Sequence, residues 1–205
     1  YLVRNAAGKL IYKINQAGGV TQSFYDANDR VTKTIQYTQG IGSSTFTDKQ
    51  PAVADVAALI KTDSADVTSY RVYNDDGHLV YKLATDGSVT AFTLDLAGRA
   101  TAIRQCTTTI DLTTLTDVTQ ASIDAAMKTT DNDRLTYHIY NAQGQQQYHI
   151  QAKENGLAQV TEYAYTLSGQ VTDEWRYDAP IDLTSVTPDA SPTDIESFIE
   201  TSDND

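Results

Sequence analysis

Apolar and polar residues alternate with period two in short runs along most of the chain, and glycine, asparagine or aspartate stands between the runs. The stretches YRVYN from Tyr70 and HLVYKLA from His78 flank Asp75-Asp76-Gly77, and VTAFTLD and RATAIRQ flank Leu96-Ala97-Gly98. Tyrosine, valine, isoleucine, threonine and phenylalanine dominate these runs, which is the composition of a pleated, half-buried surface, and glycine falls where a tight turn needs positive φ. The pattern predicts about four short antiparallel strands joined as consecutive hairpins.

The pattern then repeats. Segments from Tyr1, Tyr70 and Tyr137 align, bringing Gly8, Gly77 and Gly144 into register, then Tyr12, Tyr81 and Tyr148, then Val20, Val89 and Val160. A few extra residues near KENGLAQ in the last segment fall between strand runs, where a loop absorbs them at small entropic cost. The chain therefore reads as one continuous array, 1–205, of three units: 1–69, 70–136 and 137–205. It lacks an initial Met and starts inside a strand pattern, so the expectation is an excerpt of a longer array.

After its strands each unit changes period. PAVADVAALIK, VTQASIDAAMK and PTDIESFIE carry apolar triplets at i, i+3, i+4: Val56, Leu59 and Ile60; Ile123, Ala126 and Met127; Ile195, Phe198 and Ile199. That spacing makes one helix face, and Pro51 and Pro192 lie near the first turn, where a missing N–H costs nothing. The expected fold class is mainly β: four strands and one short amphipathic helix per unit, stacked into a spiralling sheet or β-solenoid because a single unit could not bury its own apolar face.

A chain of 205 residues with 40% hydrophobic residues can bury a core. No run of about 18 apolar residues appears, so no membrane span is expected. The net charge of -12 works against phosphate-backbone binding and argues against a nucleic-acid partner. An acidic, soluble surface of this kind fits a secreted or cell-surface protein. The one cysteine, Cys106, rules out an internal disulfide.

Candidate chemistry is sparse. His138 and His149 approach across a hairpin in a way that could hold a metal, but with His78 elsewhere and no third ligand at matching spacing, sheet packing is the preferred reading and no transition-metal site is expected. Asp75-Asp76, Asp131-Asn132-Asp133 and Asp203-Asn204-Asp205 offer oxygen ligands to calcium, yet the D-x-D-x-D-G loop with its distal glutamate is missing, and turn chemistry accounts for them. Gly-x-Ser-x-Gly is absent, Cys106 has no histidine in recognisable relation to it, and Gly18-Gly19 leads into no phosphate loop. Catalytic, cofactor and metal residues are therefore left unassigned, no cofactor is expected, and the chain is read as no enzyme. Thirteen tyrosines suggest ladders between stacked units or, alternatively, a sugar-binding platform; Trp175, present in one unit alone, is read as local packing.

Tyr25-Asp26-Ala27-Asn28-Asp29-Arg30-Val31 resembles the Y-D-x-x-G-R-V core of the RHS/YD-repeat superfamily, with variants at Leu94-Asp95-Leu96-Ala97-Gly98-Arg99-Ala100, Tyr165-Thr166-Leu167-Ser168-Gly169-Gln170-Val171, Tyr73-Asn74-Asp75-Asp76-Gly77 and Tyr140-Asn141-Ala142-Gln143-Gly144. Asp29 replaces the motif's glycine and Gln170 its arginine, and the helical insert lengthens the unit beyond the family's basic repeat. The resemblance implies a structural role, because proteins of that family wrap a spiralling sheet into a hollow shell around a toxic C-terminal domain or form large extracellular modules. The leading expectation is a secreted or surface-displayed segment stacking into a fibre, tube or shell, partnered by neighbouring repeats or copies of itself. The alternatives are a cocoon segment enclosing a toxin domain and an adhesin that binds a surface glycan or receptor.

Overall fold

The computed structural model describes residues 1–42, 46, 50–153, 156–177 and 181–202. Among these residues thirteen strands and three α-helices follow one another in a repeating order. The strands are β1 (Leu2–Arg4), β2 (Leu10–Ile14), β3 (Val20–Tyr25), β4 (Val31–Gln36), β5 (Val67–Tyr73), β6 (Leu79–Leu83), β7 (Val89–Leu94), β8 (Ala100–Gln105), β9 (Arg134–Tyr140), β10 (Gln146–Ala152), β11 (Leu157–Tyr165), β12 (Val171–Arg176) and β13 (Ile181–Asp182). Helix α1 (Val53–Leu59) follows β4, α2 (Gln120–Ala126) follows β8, and α3 (Pro192–Ser202) follows β13. Each repeat thus has four antiparallel strands and a short helix, as the alternating pattern predicts. The third adds β13, which pairs with β11 through Leu157↔Asp182 and Ala158↔Ile181.

Two compact units divide the chain: Tyr1–Ser88 with Ile110–Ala125, and Val89–Thr109 with Ala126–Asp205. In the first unit β1 to β6 form an antiparallel meander. One face is closed by the helices. Val3, Tyr12, Ile14, Val20 and Ile41 bury Val56 of α1, which is fully inaccessible. At about 25 cal/mol per Å2, such side chains contribute roughly 1.5–3 kcal/mol each, and this is what holds a seven-residue helix that could not persist alone.

The second unit repeats the scheme with β7 paired to β8, β8 to β9, and β9 to β12 in order. Ile139, Tyr148, Ile150, Val160 and Ile181 take the places of Val3, Tyr12, Ile14, Val20 and Ile41, and Ile195 of α3 takes that of Val56. Ile123 of α2 is likewise fully buried. Helices α2 and α3 begin with a reciprocal cap: the Thr119 hydroxyl accepts from the Ser122 N–H at 3.2 Å while Ser122 accepts from the Thr119 N–H at 3.0 Å, and the Ser191 hydroxyl accepts from the Asp194 N–H at 3.4 Å while Asp194 accepts from the Ser191 N–H at 2.8 Å. Helix α1, with alanine at its N-cap, keeps one half, Asp55 accepting from the Ala52 N–H at 3.0 Å.

One expectation for the helix face fails. Leu59 is 41% exposed, because α1 ends at this residue and its single full apolar position is Val56; Ile60 lies past the end in extended backbone and packs at the core margin. Among the described residues, no helix is long and apolar enough to cross a membrane.

Candidate functional site

The recurring chemistry lies in the turn that joins the third strand of a repeat to the fourth. In the first unit, Asp26 Oδ1 accepts from the backbone N–H groups of Asn28 and Arg30, both at 2.9 Å, and its Oδ2 accepts from Arg30 Nε at 2.7 Å. In the second, Asp95 does the same with Ala97, Arg99 and Arg99 Nε at 2.9, 2.9 and 2.7 Å. An aspartate suits this place because its carboxylate reaches its own backbone two and four residues on. The Arg30 N–H lowers the Asp26 pKa most; at Asp95, burial raises the pKa and the Arg99 contacts outweigh it.

The arginine then joins one repeat to the next. Arg30 lies 4.6 Å from the ring centre of Tyr73 on β5, and Arg99 4.3 Å from that of Tyr140 on β9. The tyrosine hydroxyls donate to the carbonyls of Val31 (3.0 Å) and Ala100 (3.1 Å), the first residues of β4 and β8. Pairing of β4 with β5 and of β8 with β9 is thus locked at its end by a cation over an aromatic face, worth about 0.5–1 kcal/mol at such partly exposed sites. The departures from the motif are accommodated locally. Asp29 takes up the left-handed turn conformation with φ 64° where Gly98 has φ 77°, and it pairs with Lys9. In the third copy the Thr166 hydroxyl accepts from the Gln170 N–H at 3.1 Å, a neutral substitute for the carboxylate.

A second recurrent element lies near the end of the first and second repeats, at Asp66 and Asp133. Asp66 accepts from the Thr38 N–H (2.9 Å), the Thr38 hydroxyl (3.0 Å) and the Asp63 N–H (2.8 Å), tying the end of the insert back to the chain just after β4. Asp133 accepts from the Thr107 and Thr130 N–H groups at 2.9 and 3.1 Å and from Arg104 Nη1 at 3.1 Å, and its side chain is wholly inaccessible. Burial raises the Asp133 pKa, but these donors overcome it and hold the carboxyl down to about 2.

The candidate residues from the sequence fall as follows. Asp131-Asn132-Asp133 is a structural corner, with Asp133 consumed by five hydrogen bonds. Asp75 and Asp76 lie exposed in the β5–β6 turn, and Asp203-Asn204-Asp205 lies outside the described residues. Among the described residues no group of three or more His, Cys, Asp or Glu side chains is placed to hold a metal. Cys106 is partly exposed, and burial together with the Asp133 carboxylate pushes its thiol pKa up, away from the thiolate. The turns at Gly18 and Gly87 have a packing reason: a Cβ there would run into the carbonyl oxygens of Ile41 and Ile110. Trp175 is not packed away; it is 48% exposed on β12. Lys9, Arg30 and Arg99 stand over the rings of Tyr25, Tyr73 and Tyr140, which occupies one face of each of these three tyrosines. His138 and His149 do meet, directly opposite each other on β9 and β10, with ring centres 5.2 Å apart, whereas His78 lies in the other unit.

Each unit also holds an open cleft against its turn. One of about 600 Å3 is lined by Asp26, Arg30, Arg71, Tyr73, Asp75 and the first turn of α2. Its counterpart of about 540 Å3 is lined by Asp95, Arg99, His138, Tyr140 and the segment before α3.

No protein-family profile matches the chain, and no curated protein matches it. Solved structures do. The chain is similar to part of the crystal structure of TcdB2-TccC3-TEV, with a TM-score of 0.50 and 14% identity over 84% of this chain and 8% of that one. A Tc holotoxin pore of Photorhabdus luminescens bearing a TccC3 variant matches with a TM-score of 0.41 and 14% identity over 82% of this chain and 8% of that chain. The first likeness shows a shared fold, and this chain spans 8% of the length of the proteins it resembles.

Proposed function

We propose that the chain is a non-catalytic wall segment of a secreted, toxin-enclosing repeat protein of the RHS/YD type, in which hairpins spiral on from repeat to repeat to surround a cargo domain. The observation that carries this reading is the joint itself. The same aspartate, arginine and tyrosine fasten β4 to β5 and β8 to β9, so the motif residues are spent on holding one repeat to the next. A structure whose distinguishing side chains all serve continuity is suited to forming a surface.

Of the two mechanical readings, fibre and cocoon, the fold shared with TcdB2-TccC3-TEV over 84% of this chain favours the cocoon. The neighbouring repeats are then the principal partners, with the enclosed domain as cargo. The test is limited proteolysis of the intact parent polypeptide. A cocoon leaves an enclosed domain uncut until denaturant opens the wall, with array and cargo becoming sensitive together. If every segment outside the repeats is digested under native conditions, the enclosure reading fails.

A further inference from the structure

The paired histidines of the second unit are used by neither the joint nor the corner. His138 and His149 are register partners on β9 and β10, so both side chains point to the same face of the sheet. Their rings are tilted by 55° with centres 5.2 Å apart. Gln146 Oε1 lies 2.8 Å from His138 Nδ1, which leaves His138 Nε2 as the open nitrogen of that ring. No hydrogen bond holds the His149 ring among the described residues, and no fully buried side-chain nitrogen is left without a partner, so at least one nitrogen of His149 is open to solvent. His138 also lines the cleft of about 540 Å3, which gives an ion a way in.

We propose that His138 and His149 form a two-imidazole site for a borderline divalent cation of the zinc class, clamping β9 to β10. Two imidazoles on one tetrahedral ion, each nitrogen about 2.0–2.1 Å from it, place their ring centres about 5 Å apart, as found here. Gln146 supplies the outer-shell contact that fixes the orientation of His138, a role a carboxylate or carbonyl oxygen commonly has beside a ligating histidine. Water completes the coordination. Burial, followed by the nearby His138, lowers the His149 pKa. Two protein ligands alone hold the ion: in the same cross-strand row stand Thr161 on β11 and Arg176 on β12, and of the carboxylates in the cleft that His138 lines, Asp95 is held by Arg99 and Asp189 stands in the segment before α3. The expected affinity is therefore moderate, and the site binds a histidine-seeking ion in preference to calcium or magnesium. This assignment does not depend on the wall reading.

The experiment is a zinc chloride titration of the 205-residue chain, labelled at its histidine nitrogens and followed by NMR at pH 7.5 and pH 5.5. The proposal expects the His138 and His149 resonances to shift together with one-to-one stoichiometry, His78 to stay unmoved, and the shifts to vanish at pH 5.5 as protons compete. His149→Gln and His138→Gln are each expected to weaken zinc at least tenfold, while His78→Gln leaves it unchanged. Thermal unfolding with zinc gives a second readout, because a ligand bound only to the folded state raises Tm in proportion to its occupancy. Shifts at His78 alone, unchanged affinity in His149→Gln, or no response to millimolar zinc would each overturn the proposal.

Discussion

The corners that close the first and second repeats contain the same aspartate in the same place and handle its charge differently. Asp66 stays partly exposed and is held by Thr38 and Asp63, all neutral donors. Asp133 is buried and faces Arg104, whereas the first repeat has Ile35 at the position of Arg104. The difference shows that the hydrogen-bonding corner is the common element and the arginine an addition that permits burial. A carboxylate left in water needs no counter-charge, but one taken out of water does.

The largest effect is expected from Asp133→Ala, which leaves Arg104 without its partner and frees the Thr107 and Thr130 N–H groups; loss of one member of such a pair costs about 3 kcal/mol, readable in chemical unfolding of the second unit. Acid should act on the same corner. The folded Asp133 pKa lies below its unfolded value, so its contribution, roughly 2–3 kcal/mol, is complete above pH 4 and is lost as pH falls through about 2. A melting temperature insensitive to pH between 4.5 and 2 in wild type, or equally sensitive in Asp133→Asn, would contradict this.

Arg104→Ile converts the second corner towards the first. It should destabilise by about 1–2 kcal/mol, less than Asp133→Ala, because the carboxylate keeps its backbone donors. The smallest loss should come from Asp66→Ala, whose carboxylate is partly exposed and, among the described residues, is held by neutral donors with no ion pair. If Asp66→Ala lowers Tm as much as Asp133→Ala, the contrast between the corners is wrong.

Much of the fold was legible because the sequence states it three times. Turn glycines at Gly77 and Gly98 take positive φ as the alternating runs require, and Val56, Ile123 and Ile195 bury themselves where the helix period places them. The failures come from where elements end. Leu59 is exposed because the helix stops there, and β13 forms where the register of β11 leaves room for a short partner. The joint was half visible: the Asp–Arg turn could be read from the motif, but the tyrosine beneath each arginine lies on the next repeat, and that contact needs the strand pairing to be known. Arg104 gave no signal at all, since it occupies a strand position that holds isoleucine in the first repeat and meets Asp133 only when the insert folds back. The meeting of His138 with His149 followed from hairpin register alone.

Electron cryo-microscopy of the intact native parent tests the central claim most directly. The account predicts closed, hollow particles whose wall is built from hairpins fastened at Asp–Arg–Tyr joints, with density inside. Open filaments with an axial repeat of one or three units, and no enclosed volume, would contradict it.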